Sequence, residues 1–273
     1  MASDISSKLV DSLRILFLPC LARDVHFALS RMDPISVLAA GGIRSRMESL
    51  DLLANNLANS GTSGYKSDRE FYSLFTSDYA QGNTATLPLV ERKWTDFSQG
   101  LLQNTSNPLD VALSGNGFFT VNGPSGPLYT RNGSFQVGSS GNLSTSDGYS
   151  VMALGGRAIP IDPSMPVTVT PEGDVQQSGV SVGQLELVSF PDTTVLAKQG
   201  NNYFRNTNAS VVPAAATDIE VHQGQTENSN VNTPGSAVQL VGVMRQFEML
   251  QKAITMSLDM DRKGIDEVAR IPQ

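Results

Sequence analysis

Residues 117–137 read GFFTVNGPSGPLYTRNGSFQV, and this stretch decides the fold class. It consists of short runs rich in β-branched and aromatic residues, which is the composition of strands. Asn122-Gly123 and Asn132-Gly133 interrupt the runs, and Asn and Gly both tolerate the positive φ angles of tight turns. The stretch therefore predicts short strands, with residues 128–131 and 134–137 flanking the second turn as a hairpin.

The same pattern continues towards the C-terminus. Residues 167–170 and 182–190 alternate apolar and polar side chains, as half-buried strands do. Short strands that follow one another without a helical period are typical of barrels and sandwiches. Residues 100–220 are therefore predicted to form a β-rich domain of one of these two kinds.

An amphipathic helix is predicted on the N-terminal side of this domain. Apolar residues recur at spacings of three and four between residues 35 and 59. Asp33-Pro34 supplies an N-cap and a first helical residue, and Asn59 followed by Gly61 supplies the end.

A second amphipathic helix is predicted on the C-terminal side, from about residue 236 to residue 268. Pro234 stands at its start and Gly264 is a candidate break. Its apolar stripe consists of Leu240, Met244, Phe247, Leu250, Ile254 and Leu258. Such a stripe usually packs on its own domain, but neither of the two helices has a globular domain close by in sequence.

Two apolar stripes at opposite ends of the chain lead to a prediction for the whole fold. The most direct way to cover both stripes is to pair the helices. The predicted fold is therefore mainly β with terminal α-helices: a central barrel-like or sandwich-like domain, flanked by two helices that pair in a coiled-coil-like core. Such a thin core buries little surface, so it would gain stability from packing against other copies.

Composition excludes several classes of function. The chain has 273 residues, a formal net charge of −7 and a pI of about 4.8, which disfavours nucleic-acid binding because phosphate binding needs a basic surface. One cysteine and two histidines exclude an internal disulfide framework and a histidine-rich metal site. No phosphate-binding loop, nucleophile elbow or zinc-binding helix motif is present. We expect no catalytic residue, no metal, no cofactor and no small-molecule substrate.

Residues 1–31 lack the regular helical pattern that begins at Met32. The apolar run at residues 13–22 is too short to span a membrane and contains Pro19. Asp11 and Arg14 interrupt it, and no clear signal-peptide cleavage site comes after it. We therefore interpret residues 1–31 as an extension outside the functional fold; a membrane-associating helix and a cleaved signal are the alternatives.

Four segments together resemble the bacterial flagellar rod and hook protein family. They are residues 54–66, residues 108–119, residues 129–135 and residues 227–232, reading ANNLANSGTSGYK, PLDVALSGNGFF, YTRNGSF and ENSNVN. Any one of them is weak, but four in this order at this spacing are specific. The resemblance extends from about Met32 into the C-terminal helix. Residues 107–113 and 245–249 are most similar to the proximal rod type of the family, and the distal rod type is next.

The resemblance implies a structural subunit of the flagellar basal-body rod, which polymerises through its terminal helices and transmits torque from motor to hook. Its partners would be copies of itself, other rod and hook proteins and the flagellar export apparatus. It implies core helices at 32–62 and 236–273, connections at 63–99 and 221–235, and an outer domain at 100–220. The residues expected to serve assembly are Asn55, Asn56, Leu57, Asn59, Tyr65, Asn228, Asn230, Asn232, Leu240, Met244, Phe247, Leu250 and Ile254.

Alternatives remain open at this point. The asparagines suit backbone capping where a helix ends, whether or not they serve an interface. A distal rod or hook-type subunit of the same family is one alternative function. A secreted enzyme would need a pocket with convergent polar groups, and a secreted β-domain binding protein would need ordered ends and no polymerisation.

Overall fold

The computed structural model describes residues 34–79, 83–200 and 202–269. The predictions for residues 1–31 concern a segment outside these ranges. The described chain forms two compact units, of which one holds Ser49–Phe71 and Val90–Gly242 and the other holds the described remainder. Neither of the long helices in these ranges is apolar enough over a sufficient length to cross a membrane.

In the described ranges, two long helices precede and follow the strands in sequence. Helix α1 is Pro34–Ala58 and helix α2 is Thr233–Ala269. Both contain the residues whose spacing predicted them, and α2 continues through Gly264 without a break. A helical glycine costs about 1 kcal/mol relative to alanine, which a helix of this length absorbs.

The strands lie between these helices, and a 3₁₀ turn lies at Thr193–Val195. In chain order they are β1 (Asp68–Tyr79), β2 (Asn83–Thr95), β3 (Leu102–Asn104), β4 (Val111–Gly115), β5 (Phe118–Gly123), β6 (Gly126–Thr130), β7 (Phe135–Val137), β8 (Leu143–Thr145), β9 (Ser150–Ala153), β10 (Arg157–Ala158), β11 (Val167–Val169), β12 (Asp174–Gln177), β13 (Val180–Gln184), β14 (Leu187–Ser189), β15 (Leu196–Gln199), β16 (Tyr203–Asn206), β17 (Ala214–Ala215), β18 (Ile219–Gln223) and β19 (Gln225–Glu227).

The largest sheet has ten strands and contains the stretch that decided the fold class. Its main path is β15-β16-β6-β5-β9-β8-β7, with β10 on β9, β14 on β5 and β17 on β14. Strands β5 and β6 form an antiparallel hairpin in which Gly123 pairs with Gly126. Gly126 has φ 121°, a value that L side chains rarely adopt, so the turn after Asn122-Gly123 depends on a glycine.

The predicted hairpin around Asn132-Gly133 is wrong. Strand β6 pairs with β5 and β16, whereas β7 pairs with β8. The reason is a close backbone approach: the Val111 amide donates to the Gly133 carbonyl at 3.0 Å, and a Cβ on Gly133 would overlap the Val111 carbonyl. The two residues therefore direct the chain past β4 and do not reverse it.

Smaller sheets complete the β domain. Strands β11, β12 and β13 form a three-stranded sheet, and β4 pairs with β18 and β3 with β19. A continuous apolar core joins the ten-stranded sheet, the three-stranded sheet and the β4–β18 pair, with Leu113, Phe119 and Val175 fully buried in it. The predicted β-rich middle is therefore mostly a β-sandwich, and each buried side chain of this size contributes roughly 1.5–3 kcal/mol.

Residues 63–99 contain more regular structure than an extended connection. Strands β1 and β2 lie here and pair as a two-stranded sheet. Apolar and charged residues are mixed in both strands, so the sequence lacks the clean alternation that reveals a strand with one buried face.

The predicted coiled-coil-like pairing of the two helices is wrong. No coiled-coil pairing is evident along the described parts of α1 and α2, although Leu250 of α2 lies beside Gly42 of α1. Much of the apolar surface of α2 is instead exposed, including Met244 and Leu258 of the predicted stripe. Periodicity identifies an apolar face, but it does not specify which surface covers that face.

Candidate assembly site at the helix–sandwich junction

Helix α1 ends in a cluster of asparagines that closes its last turn. The Asn59 amide and the Asn59 side-chain nitrogen both donate to the Asn55 carbonyl, at 3.1 and 2.9 Å. Ser60 adds a hydroxyl bond to the Leu57 carbonyl at 2.8 Å. The last carbonyls of a helix lack partners within the helix, and these side chains supply them.

Tyr65 ties this helix end to the start of β1. Its hydroxyl lies 2.8 Å from Asn55 Oδ1 and 3.0 Å from Asn56 Oδ1, and its ring is buried. Asn56 reaches further, because its Oδ1 accepts from the Asp68 amide and its Nδ2 donates to the Asp68 carbonyl. Burial, together with the nearby Asp68 carboxylate, raises the pKa of Tyr65 to about 12.

A buried ion cluster lies beside Tyr65. Lys66 Nζ contacts Glu227 Oε1 at 2.5 Å, and Arg131 Nη1 contacts Glu227 Oε2 at 3.3 Å. The side chains of Lys66, Glu227 and Arg131 are 1%, 0% and 3% exposed, so water screens these pairs little. We call these three residues the ion cluster.

Backbone groups from separate segments complete the ion cluster. Lys66 Nζ donates to the Ser98 carbonyl at 2.7 Å, and the Gly100 amide donates to Glu227 Oε1 at 2.8 Å. Arg131 donates to the carbonyls of Leu113 and Gly115. Burial lowers the pKa of Lys66, and the negative charge of Glu227 opposes that shift.

Lys198 adds a third cation at the edge of the ion cluster. Its ammonium donates to the Lys66 carbonyl at 2.6 Å, pairs with Asp68 Oδ2 at 2.8 Å and lies 4.2 Å from the centre of the Tyr65 ring. Strand β15 thereby holds the segment between α1 and β1 by both charge and cation–π contact.

Asn230 fixes the C-terminal connection to the same place. Its Oδ1 accepts from the Ser67 amide at 2.7 Å, and its Nδ2 donates to the Asp96 carbonyl at 2.7 Å. The Gly64 amide donates to the Glu227 carbonyl at 2.7 Å, so the two terminal connections touch through their backbones. A Cβ on Gly64 would overlap the backbone nitrogen of Asn132.

The other two asparagines of this connection have local roles. Asn228 Nδ2 donates to Gln103 Oε1 at 3.0 Å, which supports the β3–β19 pair. Asn232 Oδ1 accepts from the Gly235 amide at 3.2 Å, as the N-cap of α2. The structure therefore brings Asn55, Asn56 and Asn230 together with Tyr65 and the ion cluster, and we call this meeting place of helix α1 and the sandwich the junction. Asn228 and Asn232 lie beside the junction.

The predicted apolar residues on the helices are only partly covered. Leu57, Leu240, Phe247, Leu250 and Ile254 are half-buried, and Met244 is exposed. Further large apolar side chains of α2 are exposed, namely Val238, Val241, Met249, Met256, Leu258 and Met260. At 3.6 residues per turn, Val238, Val241, Met249, Met256 and Met260 point to one side of the helix, and these five residues are defined as the α2 apolar face.

The sequence reasoning missed the ion cluster, although its signal was present. Lys66, Arg131 and Glu227 each lie inside one of the four segments whose resemblance to a family was noticed. A charged residue within an otherwise apolar or asparagine-rich segment is a candidate for a buried pair, because a lone charge would be costly there.

The chemistry of the junction is structural. Its carboxylates are paired with cations or backbone amides, and the described residues hold no group of three or more His, Cys, Asp or Glu side chains able to bind a metal ion. The arrangement can hold segments together.

Comparison with known proteins gives consistent matches. Residues 112–177 match the family described as the flagellar hook protein FlgE/F/G D1 domain, and residues 222–267 match the flagellar basal body rod FlgEFG protein C-terminal family. The chain is 34% identical over 227 residues to the flagellar basal-body rod protein FlgF of Caulobacter vibrioides, covering 81% of this chain and 92% of that relative. It is 32% identical over 265 residues to the FlgG protein of Buchnera aphidicola subsp. Schizaphis graminum, covering 85% and 98%.

Proposed function

The chain belongs to the flagellar basal-body rod protein family as a structural subunit of the rod, and from this premise we propose that its terminal segments join it to neighbouring subunits. The FlgF and FlgG types are both among its relatives, and the basal body is where proteins of this family are found. The partners we propose are copies of this chain and other rod and hook proteins. The proposed function has no catalytic step.

The observation that carries the proposal is the α2 apolar face. Met249, Met256 and Met260 are 61%, 65% and 71% exposed, on a helix whose opposite side is already half-buried. Exposed apolar surface of this extent marks an interaction site, because leaving it in water forfeits about 25 cal/mol per Å². Methionine is common on such surfaces because its flexible side chain adapts to different partners.

We further propose that the subunit transmits torque, and the junction supports this role. Force that enters through α2 has to reach the β-sandwich through residues 225–232, and force through α1 has to pass residues 59–68. The ion cluster and Asn230 link both connections to the sandwich, and main-chain hydrogen bonds link them to each other. These contacts keep the two terminal connections attached to the sandwich.

Within the family we propose the proximal rod type. Residues 107–113 and 245–249 support this assignment, together with the FlgF relative from Caulobacter vibrioides. We also propose export by the flagellum's own secretion apparatus. Purified basal bodies labelled with an antibody to this chain would show whether it lies at the motor end or at the hook end of the rod.

The test of assembly is removal of residues 236–273. The truncated chain retains the junction and the sandwich, so its β signal in circular dichroism is expected to remain. Its incorporation into purified basal bodies, and the motility of the cells, are expected to be lost. Normal incorporation of the truncated chain would refute assembly through α2.

A further inference from the structure

A groove of about 1430 Å³ opens beside the junction, at the base of the β1–β2 pair. Its lining comes from both strands, from residues 116–118 before and within β5, and from residues 190–198. Every lining residue belongs to the unit that contains the sandwich. The groove therefore has a shape fixed by a folded domain.

The floor of the groove is aromatic and rigid. The Phe97 ring meets the Phe118 ring edge-on at 5.6 Å and the Phe204 ring at 5.0 Å, and Phe118 meets Phe190 at 6.1 Å. Such packing contributes about 0.5–1.5 kcal/mol per pair beyond area burial. A floor of this kind keeps its shape when a partner docks.

The walls of the groove are apolar and uncovered. Phe71 of β1 is 63% exposed and Trp94 of β2 is 46% exposed, and both line the groove. Arg69 lies 5.7 Å from the centre of the Trp94 ring and pairs with Asp96 at 2.7 Å, which holds that wall in place. Exposed, fixed aromatic side chains above a desolvated floor resemble the central residues of protein interfaces.

The charge of the groove indicates the chemistry of its occupant. Of the cations that line it, Arg131 already pairs with Glu227 and Lys198 with Asp68, whereas Lys93 is in no ion pair found among the described residues. Between residues 100 and 232 the chain itself carries ten acidic and four basic side chains. The carboxyls of Asp162 and Asp174 have lowered pKa values, chiefly because nearby Ser164 and Ser181 hydroxyls donate to them, so they are ionised at neutral pH.

We propose that this groove receives the acidic β-sandwich of a second copy of this chain, with an apolar side chain against Phe71 and Trp94 and a carboxylate at Lys93. The proposal rests on the rod function above and adds a lateral contact that does not involve the helices. A second copy fits because its sandwich offers both components: an excess of acidic residues and exposed apolar side chains such as Val180 and Val212, which are 66% and 74% exposed.

The experiment places a photo-crosslinking phenylalanine analogue at position 94 of the full chain, inside cells that build basal bodies. Position 71 serves as a second site if the probe at 94 disturbs folding. Leu154, which is 52% exposed and outside the groove, is the matched control. Illumination is expected to give at least fivefold more covalent dimer of this chain from positions 94 and 71 than from position 154, with crosslinked peptides from residues 100–232 of the second copy.

The charge component has its own test. Lys93→Glu in the probe-bearing chain is expected to reduce the dimer at least fivefold. A probe that reports no more dimer at 94 and 71 than at 154, or that captures only a different protein, would overturn the proposal. Incorporation into basal bodies is scored separately, so a chain that enters the rod without forming the dimer contradicts the groove and leaves the rod function intact.

Discussion

At the scale of single residues, Glu227 is the centre of the ion cluster. It is fully buried and accepts bonds from Lys66, Arg131 and the Gly100 amide, which come from three separate segments. A buried ion cluster contributes little net stability relative to apolar residues of the same size, but removal of one partner leaves the others buried and unpaired. The cluster therefore acts mainly by specifying which segments meet.

We expect Glu227→Ala to lower the free energy of unfolding by about 3–5 kcal/mol, because two buried cations lose their counter-charge. The matched control is Glu48→Ala, which breaks the Arg44–Glu48 pair on the surface of α1, where the Arg44 side chain is 84% exposed. That change should cost less than about 1 kcal/mol. Urea unfolding of both full-length variants provides the comparison, and equal losses would contradict the role given to Glu227.

Tyr65 predicts a pH dependence. Its pKa is raised to about 12, whereas the unfolded chain loses this proton near pH 10. The unfolded state therefore binds fewer protons between these values, and the stability contribution that is complete below pH 10 disappears as pH rises towards 12. Tyr65→Phe should be less stable at neutral pH but lose less stability from pH 10 to 12. The absorbance of phenolate during alkaline titration of both proteins identifies the group, and parallel stability curves would count against this assignment.

The sequence predicted some of the important residues but not their partners. Asn55, Asn56, Tyr65 and Asn230 were expected to matter together, and the structure places them at one junction. Whether they serve contacts between subunits stays a prediction. The partners of Lys66 were not predictable, because Glu227 is 161 positions away in sequence and no periodicity links two such residues.

At the scale of elements, the helices were easier to predict than the turns. The 3.6-residue period extends over many residues in α1 and α2, so errors at single positions such as Gly264 do not remove the signal. A turn is indicated by only two residues. The pair Asn132-Gly133 is compatible both with a hairpin and with a chain that passes close to Val111. Only the strand pairing of the folded chain distinguishes these two uses.

The α2 apolar face gives a prediction at this scale. Met249→Asp with Met256→Asp should leave the unfolding transition within about 0.5 kcal/mol, because both side chains are exposed in the subunit. Incorporation into basal bodies should fall at least tenfold, since two carboxylates would be buried at the interface. Gln239→Asp with Gln246→Asp has the same spacing and charge at other exposed positions and is expected to assemble. Equal incorporation of the two double variants would show that this face is not used.

At the scale of the whole molecule, the prediction of a β-rich middle between terminal helices was right and the prediction of helix pairing was wrong. The β middle depends on local turn and strand chemistry, which one sequence carries. The cover of an apolar helix face depends on which surface is available, and for this chain we propose that neighbouring subunits supply that surface. A single chain therefore predicts that α2 packs against something, without identifying it.

The junction also predicts the pattern of proteolysis of the monomer. Lys66 and Arg131 are buried within the ion cluster, whereas Arg245 and Lys252 of α2 are exposed. Brief trypsin treatment should cleave after exposed residues such as Arg245 and Lys252 and leave the bonds after Lys66 and Arg131 intact. Mass spectrometry of the limit fragment tests this, and Glu227→Ala should make Lys66 cleavable. Early cleavage after Lys66 in the unmodified chain would contradict a folded junction.

Gly64 has a consequence for genetics. Its φ is 70°, and the atom that any Cβ would meet is the main-chain nitrogen of Asn132, not a side chain. A screen for non-motile strains should therefore recover missense alleles at codon 64 regardless of the size of the new residue. Revertants of such alleles should restore glycine itself, because no exchange at codon 132 removes a backbone atom.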